Sequence, residues 1–417
     1  MNTHTKYFMV CLTAAIALFS FKSYEKKWGF FGHRRINRLA VFTLAPEMMP
    51  LFKNNIDFLT DHAVDPDKRR YAVKEEASRH FIDLDRWEST PDEKLPSKYL
   101  DALVQYGNLF SFDSSSSVPL LEKKNLDAFK KSYHLKSMNA SPGDTTNSIH
   151  PGTFKLFITT KIFPMQRSSD IVTFGGKEIN QFFNKDIADT NRVYEWVDTF
   201  SIHGILPYYL PAKYHQLVDA FKVKNFDNIL RQAAEIGHYI GDAHVPLHTT
   251  SNYNGQLTNQ TGLHAFWESR IPELFADRDY DYLVGKAVYV KDVQSFIWNI
   301  VRTSHALVDS VLTIEKRLSL TFPPDQLYCF DTRSALTQRM PCEGYAKAYQ
   351  DAMRGMVEQR MRDAILAVGS IWYSAWIDAG QPNLKKLDKQ TTPLPSKEDE
   401  DLDKAFKSNS MIGRPEN

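Results

Sequence analysis

The stretch Glu235–His248, EIGHYIGDAHVPLH, decides how this chain is read. It closes a longer segment, FDNILRQAAEIGHYIGD, whose apolar residues recur at three- and four-residue intervals, the period of an amphipathic helix. Yet it carries His238, Asp242, His244 and His248 within eleven residues. Each of these side chains costs free energy to bury unless something pairs with it, and a metal ion is a partner that serves several at once. Residues four apart lie on one helix face, so His238 and Asp242 can address a single cation together. Pro246 should end or bend the helix and turn His248 back toward the same cavity. His244 lies off the 238/242 face and is expected to pack or to support a ligand.

Sixteen residues beyond His248, in GLHAFWESR, His264 and Glu268 repeat the four-residue spacing. Two His/carboxylate pairs on two helices, with His248 between them, match the way bundle cores build multi-metal sites. Any one of these histidines alone would pass for a hydrogen-bonded core residue; the repeated spacing argues against that for the set. Imidazole and carboxylate together favour zinc or another borderline first-row metal over calcium or magnesium.

With 417 residues and 42% hydrophobic content, the chain can form one large domain or two ordinary ones. Lys and Arg total 51 against 50 Asp and Glu, a net charge of +1, which excludes a general attraction to nucleic acid or anionic membrane. A basic Lys6 precedes an apolar run from about Phe8 to Phe21 and then a polar exit. The run is short for a membrane span and has the form of a secretory leader, so residues 1–27 are expected to be a signal peptide and short N-terminal segment. The protein should be exported, periplasmic or secreted, with no transmembrane segment after processing. Cys11 leaves with the leader, and Cys329 and Cys342 remain, either as a short disulfide loop or as two free thiols.

Helical periodicity recurs in RRINRLAVFTL, DVQSFIWNIVRTSHALVDSVLTIEKRL and AYQDAMRGMVEQRMRDAILAVGSIWYSAWI, where Trp372 and Trp376 should lie on a buried helix face. Strand-like alternation is scarce, so the fold class is mainly α. From about 107 to 192 the composition turns loop-like, with helical patches at LLEKKNLDAFKKSYHL and GGKEINQFFNKDI, and reads as an irregular insertion. Residues 384–417 are charged, nearly devoid of large apolar side chains, and expected to be disordered.

WGFFGH near the start, HFID in the first quarter, H-x3-D-x5-H and then H-x3-E resemble the superfamily of zinc-dependent phospholipase C and fungal single-strand-specific nucleases. The resemblance covers about 28–105 and 196–382. It implies a multi-helix fold over 28–383 with a trinuclear zinc cleft holding two to three Zn2+. On the same resemblance the ligands are Trp28 (through its amine and carbonyl, if the leader is cut directly before it), His33, Asp65, His80, His238, Asp242, His248, His264 and Glu268. Asp242 would bridge two ions, and Asp65 would also orient or deprotonate the nucleophilic water. Phe81 and Asp83 fall where the nucleases stack and hydrogen-bond a base; a core Phe and a capping Asp explain them equally well. Glu268 and the short His248–His264 interval are phospholipase-like, whereas HFID and the Trp-to-His spacing are nuclease-like.

Three divalent ions against Asp65, Asp242 and Glu268 leave a strongly positive pocket in a near-neutral chain, suited to a phosphodiester and a hydroxide. Candidate substrates are therefore phospholipid head groups and single-stranded nucleic acid, the latter as an endonuclease or nucleotidase; no stable protein partner is inferred. A catalytically inactive, zinc-stabilised envelope binding protein is the alternative from another class. There is no Walker loop, no G-x-S-x-G elbow and no Rossmann glycine pattern. HGILPYY around His203 is expected to be a packing loop.

Overall fold

Five helices frame the site: α1 (Phe30–Ala40), α2 (Leu206–Lys222), α3 (Phe226–Ala243), α4 (Val293–His305) and α5 (Met356–Asp378). The computed structural model describes residues 30–88, 94–113, 116–122, 135–138, 148–166, 169, 171–333, 336–387, 393, 395–408 and 410–414. The apolar run from about Phe8 to Phe21, read as a signal peptide, and Trp28 lie outside them. Helix dominates the described residues, as the periodicity predicts.

α3 starts where the Asn225 side chain accepts the Asn228 amide at 3.0 Å, satisfying one of the amides a helix start leaves unpaired. It stops at Ala243 because Val245, just before Pro246, is pushed to an extended conformation (φ −84°, ψ 117°). Between those ends Ile229, Leu230, Ala233, Ile236 and Ile240 enter the main core with Ile36 of α1, Leu217 and Phe221 of α2, Val301 of α4 and Ile365 and Trp372 of α5. Trp372 is fully buried and its indole donates to the Ala233 carbonyl at 2.9 Å. Truncating it to Ala would cost about 3–5 kcal/mol. Trp376 is buried too, so the expected inward tryptophan face forms.

Two glycines let α1 lie against α3. A Cβ at Gly237 would sit 2.0 Å from Asn37 Oδ1, and one at Gly241 2.8 Å from His33 Nδ1. The close approach is locked by Asn37, whose amide donates to the Ala234 carbonyl at 2.9 Å and the Leu59 carbonyl at 3.2 Å.

The region read as an irregular insertion is instead an α+β unit with its own core. Strands β1 (Asn108–Asp113), β2 (Ser116–Pro119), β6 (Thr173–Gly175) and β7 (Val193–Val197) form an antiparallel sheet in the order β2-β1-β7-β6. A second small sheet joins β3 (Leu121–Glu122), β4 (Leu135–Ser137) and β5 (Ser148–Ile149). Leu109, Phe154, Phe157, Phe174, Ile179 and Trp196 meet between them and the helices Pro151–Phe157 and Gly176–Phe183. Strands of two to six residues alternate too briefly to register as a pattern. The helix expected near GGKEINQFF is present; most of the one expected over LLEKKNLDAFKKSYHL lies outside the described residues.

The tail departs furthest from expectation. Lys397–Ser408 is a helix, α6, that buries Leu402 and Phe406. Two apolar side chains four apart suffice to seat one turn of it: Phe406 packs edge-on against Tyr71 (5.2 Å between centroids) and stacks with Phe30 (5.6 Å). Strands β8 (Tyr328–Arg333) and β9 (Leu336–Pro341) make a hairpin, and Cys329 and Cys342 are joined as a disulfide. No helix among the described residues is long and apolar enough to cross a membrane.

Candidate metal centre

His238 and Asp242 project from the same face of α3, His33 reaches them from α1, and His80 follows the turn Lys74–Arg79. His248 stands on the turn Pro246–Thr249. His264 and Glu268 come from the next helical segment, held from behind by Leu247, Leu263, Phe266, Trp267 and Ile271. These residues assemble into three groups, each with ligand atoms within 4.8 Å of one another: His33, His238 and Asp242; Asp67, His80 and His238; His248, His264 and Glu268. Buried histidine and carboxylate groups able to hold metal ions are thus present.

The hydrogen bonds say which way the imidazole lone pairs face. His238 Nδ1 lies 2.9 Å from the Ala63 carbonyl oxygen and His248 Nδ1 2.6 Å from that of His80. A carbonyl only accepts, so both Nδ1 atoms carry the proton and both Nε2 atoms present lone pairs. His238 Nε2 then faces His80 Nδ1 at 3.1 Å, and His248 Nε2 faces His264 Nε2 at 3.0 Å. Imidazoles aimed nitrogen to nitrogen, one of each pair oriented from behind by a carbonyl, fit the arrangement that metal-ligating histidines adopt. The donor set fits a borderline divalent cation.

Asp242 joins the groups. Its Oδ1 is 3.3 Å from His33 Nε2, and its Oδ2 is 3.0 Å from His80 Nδ1 and 3.3 Å from His238 Nε2. Burial pushes the Asp242 carboxyl up, but His238 and His248 hold it well below the usual carboxylate range. Glu268 is held low in the same way, against burial, by His264 and His248, with His264 Nε2 at 2.7 Å. Burial pushes the His33 imidazole down, but its bonds to Asp242 and Glu268 raise it well above the ordinary value. His238 and His264 shift the other way, driven down chiefly by burial, which favours the neutral form a metal needs.

Asp65 is not brought into this centre. It faces His62 and Lys68, with Lys68 Nζ at 3.1 Å, and belongs to a separate group with His62 and Asp399 of the tail. The carboxylate at the centre is Asp67, 3.7 Å from His238 Nε2 and 3.8 Å from His80 Nδ1. In HAVDPDKRR the two aspartates sit two apart on one short helix, so they point in different directions, and only packing against α3 decides which one turns inward. His33, His80, His238, Asp242, His248, His264 and Glu268 are brought together in these three groups.

Two glutamates around these residues, Glu76 and Glu235, make networks that were invisible in sequence. Glu76, wholly buried, accepts from Tyr239 and from Arg79 (2.6 Å) and lies 3.6 Å from His80 Nε2. Glu235, opening the quoted stretch, pairs with Lys213 at 2.5 Å and Arg69 at 2.6 Å. His244 lies outside the three groups: its Nδ1 donates to the Ile240 carbonyl at 2.7 Å, and burial lowers it to about 3. His203 packs edge-on against Trp87 and lies 3.3 Å from Asp83. Phe81 is buried at the wall of the pocket that His80, His248 and His264 line, with Asp83 behind it.

No protein-family model matches the chain, and neither does a curated protein or a solved structure.

Proposed function

We propose that the chain is an exported zinc hydrolase of phosphodiester bonds, phospholipase C-like or nuclease-like. The observation that supports it most is the pair of nitrogen-to-nitrogen imidazole contacts, His238/His80 and His248/His264; Asp242 links the first two groups, and His33, 3.5 Å from Glu268, links them to the third. The residues that would hold the ions are His33, His238 and Asp242, then Asp67, His80 and His238, then His248, His264 and Glu268. Bound zinc ions would supply Lewis acidity and lower the pKa of a coordinated water toward neutrality.

The chain's own groups do the rest. Asp67, Asp242 and Glu268 return three negative charges, the same count that the sequence assigned with Asp65, so the loaded pocket stays positive and attracts a phosphodiester anion. Asp67 would accept the proton of the attacking water, a role supported by its 13% side-chain exposure beside the enclosed Asp242. Arg70 Nη1, 3.9 Å from Asp67 Oδ1, steadies that carboxylate. Glu76 and the carbonyls of Ala63 and His80 keep the imidazoles aimed. The Cys329–Cys342 disulfide supports an oxidising compartment.

The test is a phosphodiesterase assay on purified, zinc-loaded protein with phosphatidylcholine and single-stranded DNA side by side. Hydrolysis of either that is lost on chelation and restored by zinc is the expected result. Neither substrate cleaved, with the metal groups fully loaded, leaves a zinc-stabilised binding protein as the reading.

A further inference from the structure

Arg414, in the last described stretch of the tail, lines the pocket that His80, His248 and His264 also line. We propose that residues 410–414 are a tethered inhibitor of this site, with Arg414 occupying the substrate pocket beside the ligand histidines until the segment is displaced. The inference rests on the phosphodiester reading above and adds its regulation.

The tail is led there by α6. Asp399 is held by both Nη atoms of Arg231 (2.7 and 2.8 Å), Asp403 by Lys68 (3.0 Å), and Phe406 by Tyr71 and Phe30. Beyond it the Ile412 amide donates to the Arg70 carbonyl at 2.9 Å, and Arg70 Nη2 donates back to the Arg414 carbonyl at 2.5 Å. Gly413, at φ 91°, passes so close to Ala77 that an added Cβ would lie 2.5 Å from the Ala77 Cβ.

The Arg414 guanidinium then fills the pocket. It stacks between two rings, 4.1 Å from the Phe81 centroid and 3.6 Å from that of Tyr253. Its Nη1 donates to Asp83 Oδ1 and its Nη2 to the Thr250 carbonyl, both at 2.7 Å. The pocket there is lined by His80, His248 and His264 as well as both rings and Arg414 itself. This space adjoins the imidazoles of the groups, so an ester substituent of a phosphodiester held there would meet aromatic faces that a planar cation already covers.

Three features mark a displaceable occupant. Nη1 is engaged by Asp83 and Nη2 by the Thr250 carbonyl, so both are already satisfied by the protein and not spent on a phosphate. Asp83 keeps His203 at 3.3 Å when the arginine leaves, so release does not orphan a buried carboxylate. The anchors of α6 are partly exposed ion pairs, which hold weakly in water, and two apolar side chains.

Titration calorimetry on zinc-loaded, full-length protein decides it. Inorganic phosphate needs only the metal groups; phenylphosphonate adds a ring that must lie where Arg414 lies. The wild type is compared with Arg414→Ala and with Gly413→Val, which cannot hold residue 413 against Ala77 but leaves the arginine intact. If the docked tail outnumbers the open form by about ten to one, phenylphosphonate should bind both variants about tenfold tighter than the wild type, with phosphate changed by less than about twofold. Equal phenylphosphonate affinity in all three proteins overturns the inference, as does a gain in only one variant. Weaker phosphate binding in Arg414→Ala also overturns it and makes Arg414 a phosphate ligand. Phosphate bound by none of the three sinks the phosphodiester reading itself, and the inference with it.

Discussion

His248 donates its Nδ1 proton to the carbonyl oxygen of His80 across 2.6 Å, so an imidazole of one candidate group is aimed by the backbone of a residue of another. The Ile82 amide donates back to the His248 carbonyl at 2.9 Å, closing a short ladder between the two segments. Metal binding at the groups should therefore be cooperative. Zinc-saturated protein is expected to hold about two to three ions, at most one for each group. His238→Ala should lower that number and abolish hydrolysis, and zinc should raise the wild-type unfolding temperature. Less than about one zinc per chain after dialysis, with no thermal gain, would remove the metal reading.

Asp67 and Asp65 separate ligand from neighbour. Asp67→Asn should lower kcat by about 10²–10⁴ and weaken zinc binding. Asp65→Asn should leave both within about tenfold, since it loses only its contacts to His62 and Lys68. Steady-state kinetics with metal analysis check this, and the reverse ranking would restore Asp65 to the centre.

The two close-approach glycines should fail differently. Gly237→Ala drives a methyl into Asn37 and Gly241→Ala one into His33 Nδ1. Each is expected to cost about 1–3 kcal/mol in the metal-free protein. Only Gly241→Ala moves a ligand, so only it should weaken zinc binding beyond what the stability loss explains, measured by unfolding with and without zinc.

His244→Ala should spare zinc content and activity. The imidazole contacts the Ile240 carbonyl and is neutral at working pH, so the variant leaves a cavity and an acceptor without its donor. A cost of about 2–4 kcal/mol in urea unfolding is expected. Activity lost as fully as in His238→Ala would show that the wrong face of α3 had been read.

Tail anchoring should depend on pH through Asp399. Burial raises its carboxyl, but Arg231 and the Ser396 amide hold it far below the usual range. A depressed carboxyl stabilises the docked form above its unfolded pKa, and that contribution fades as pH falls toward the folded value. The difference in unfolding temperature between wild type and Asp399→Ala should be level near neutrality and shrink below about pH 4. A difference that stays constant down to pH 3 would mean the ion pair does not hold α6.

The sequence by itself determined the helical frame and most of the centre, because a 3.6-residue period and four-residue ligand spacing are local: whichever way α3 packs, His238 and Asp242 share a face. Local spacing also marked Trp372 and Trp376 as inward and separated His244 from the ligands. Tertiary structure alone decided Asp67 over Asp65, since their two-residue separation turns them apart and only contact with α3 chooses between them. It decided the Glu76 and Glu235 networks, whose partners lie far along the chain, and the β-unit at 108–197, built from strands too short to show a period. It also seated the tail, because a charged composition records how little apolar surface a segment has and not that Phe406, Gly413 and Arg414 find a complementary groove on the folded body.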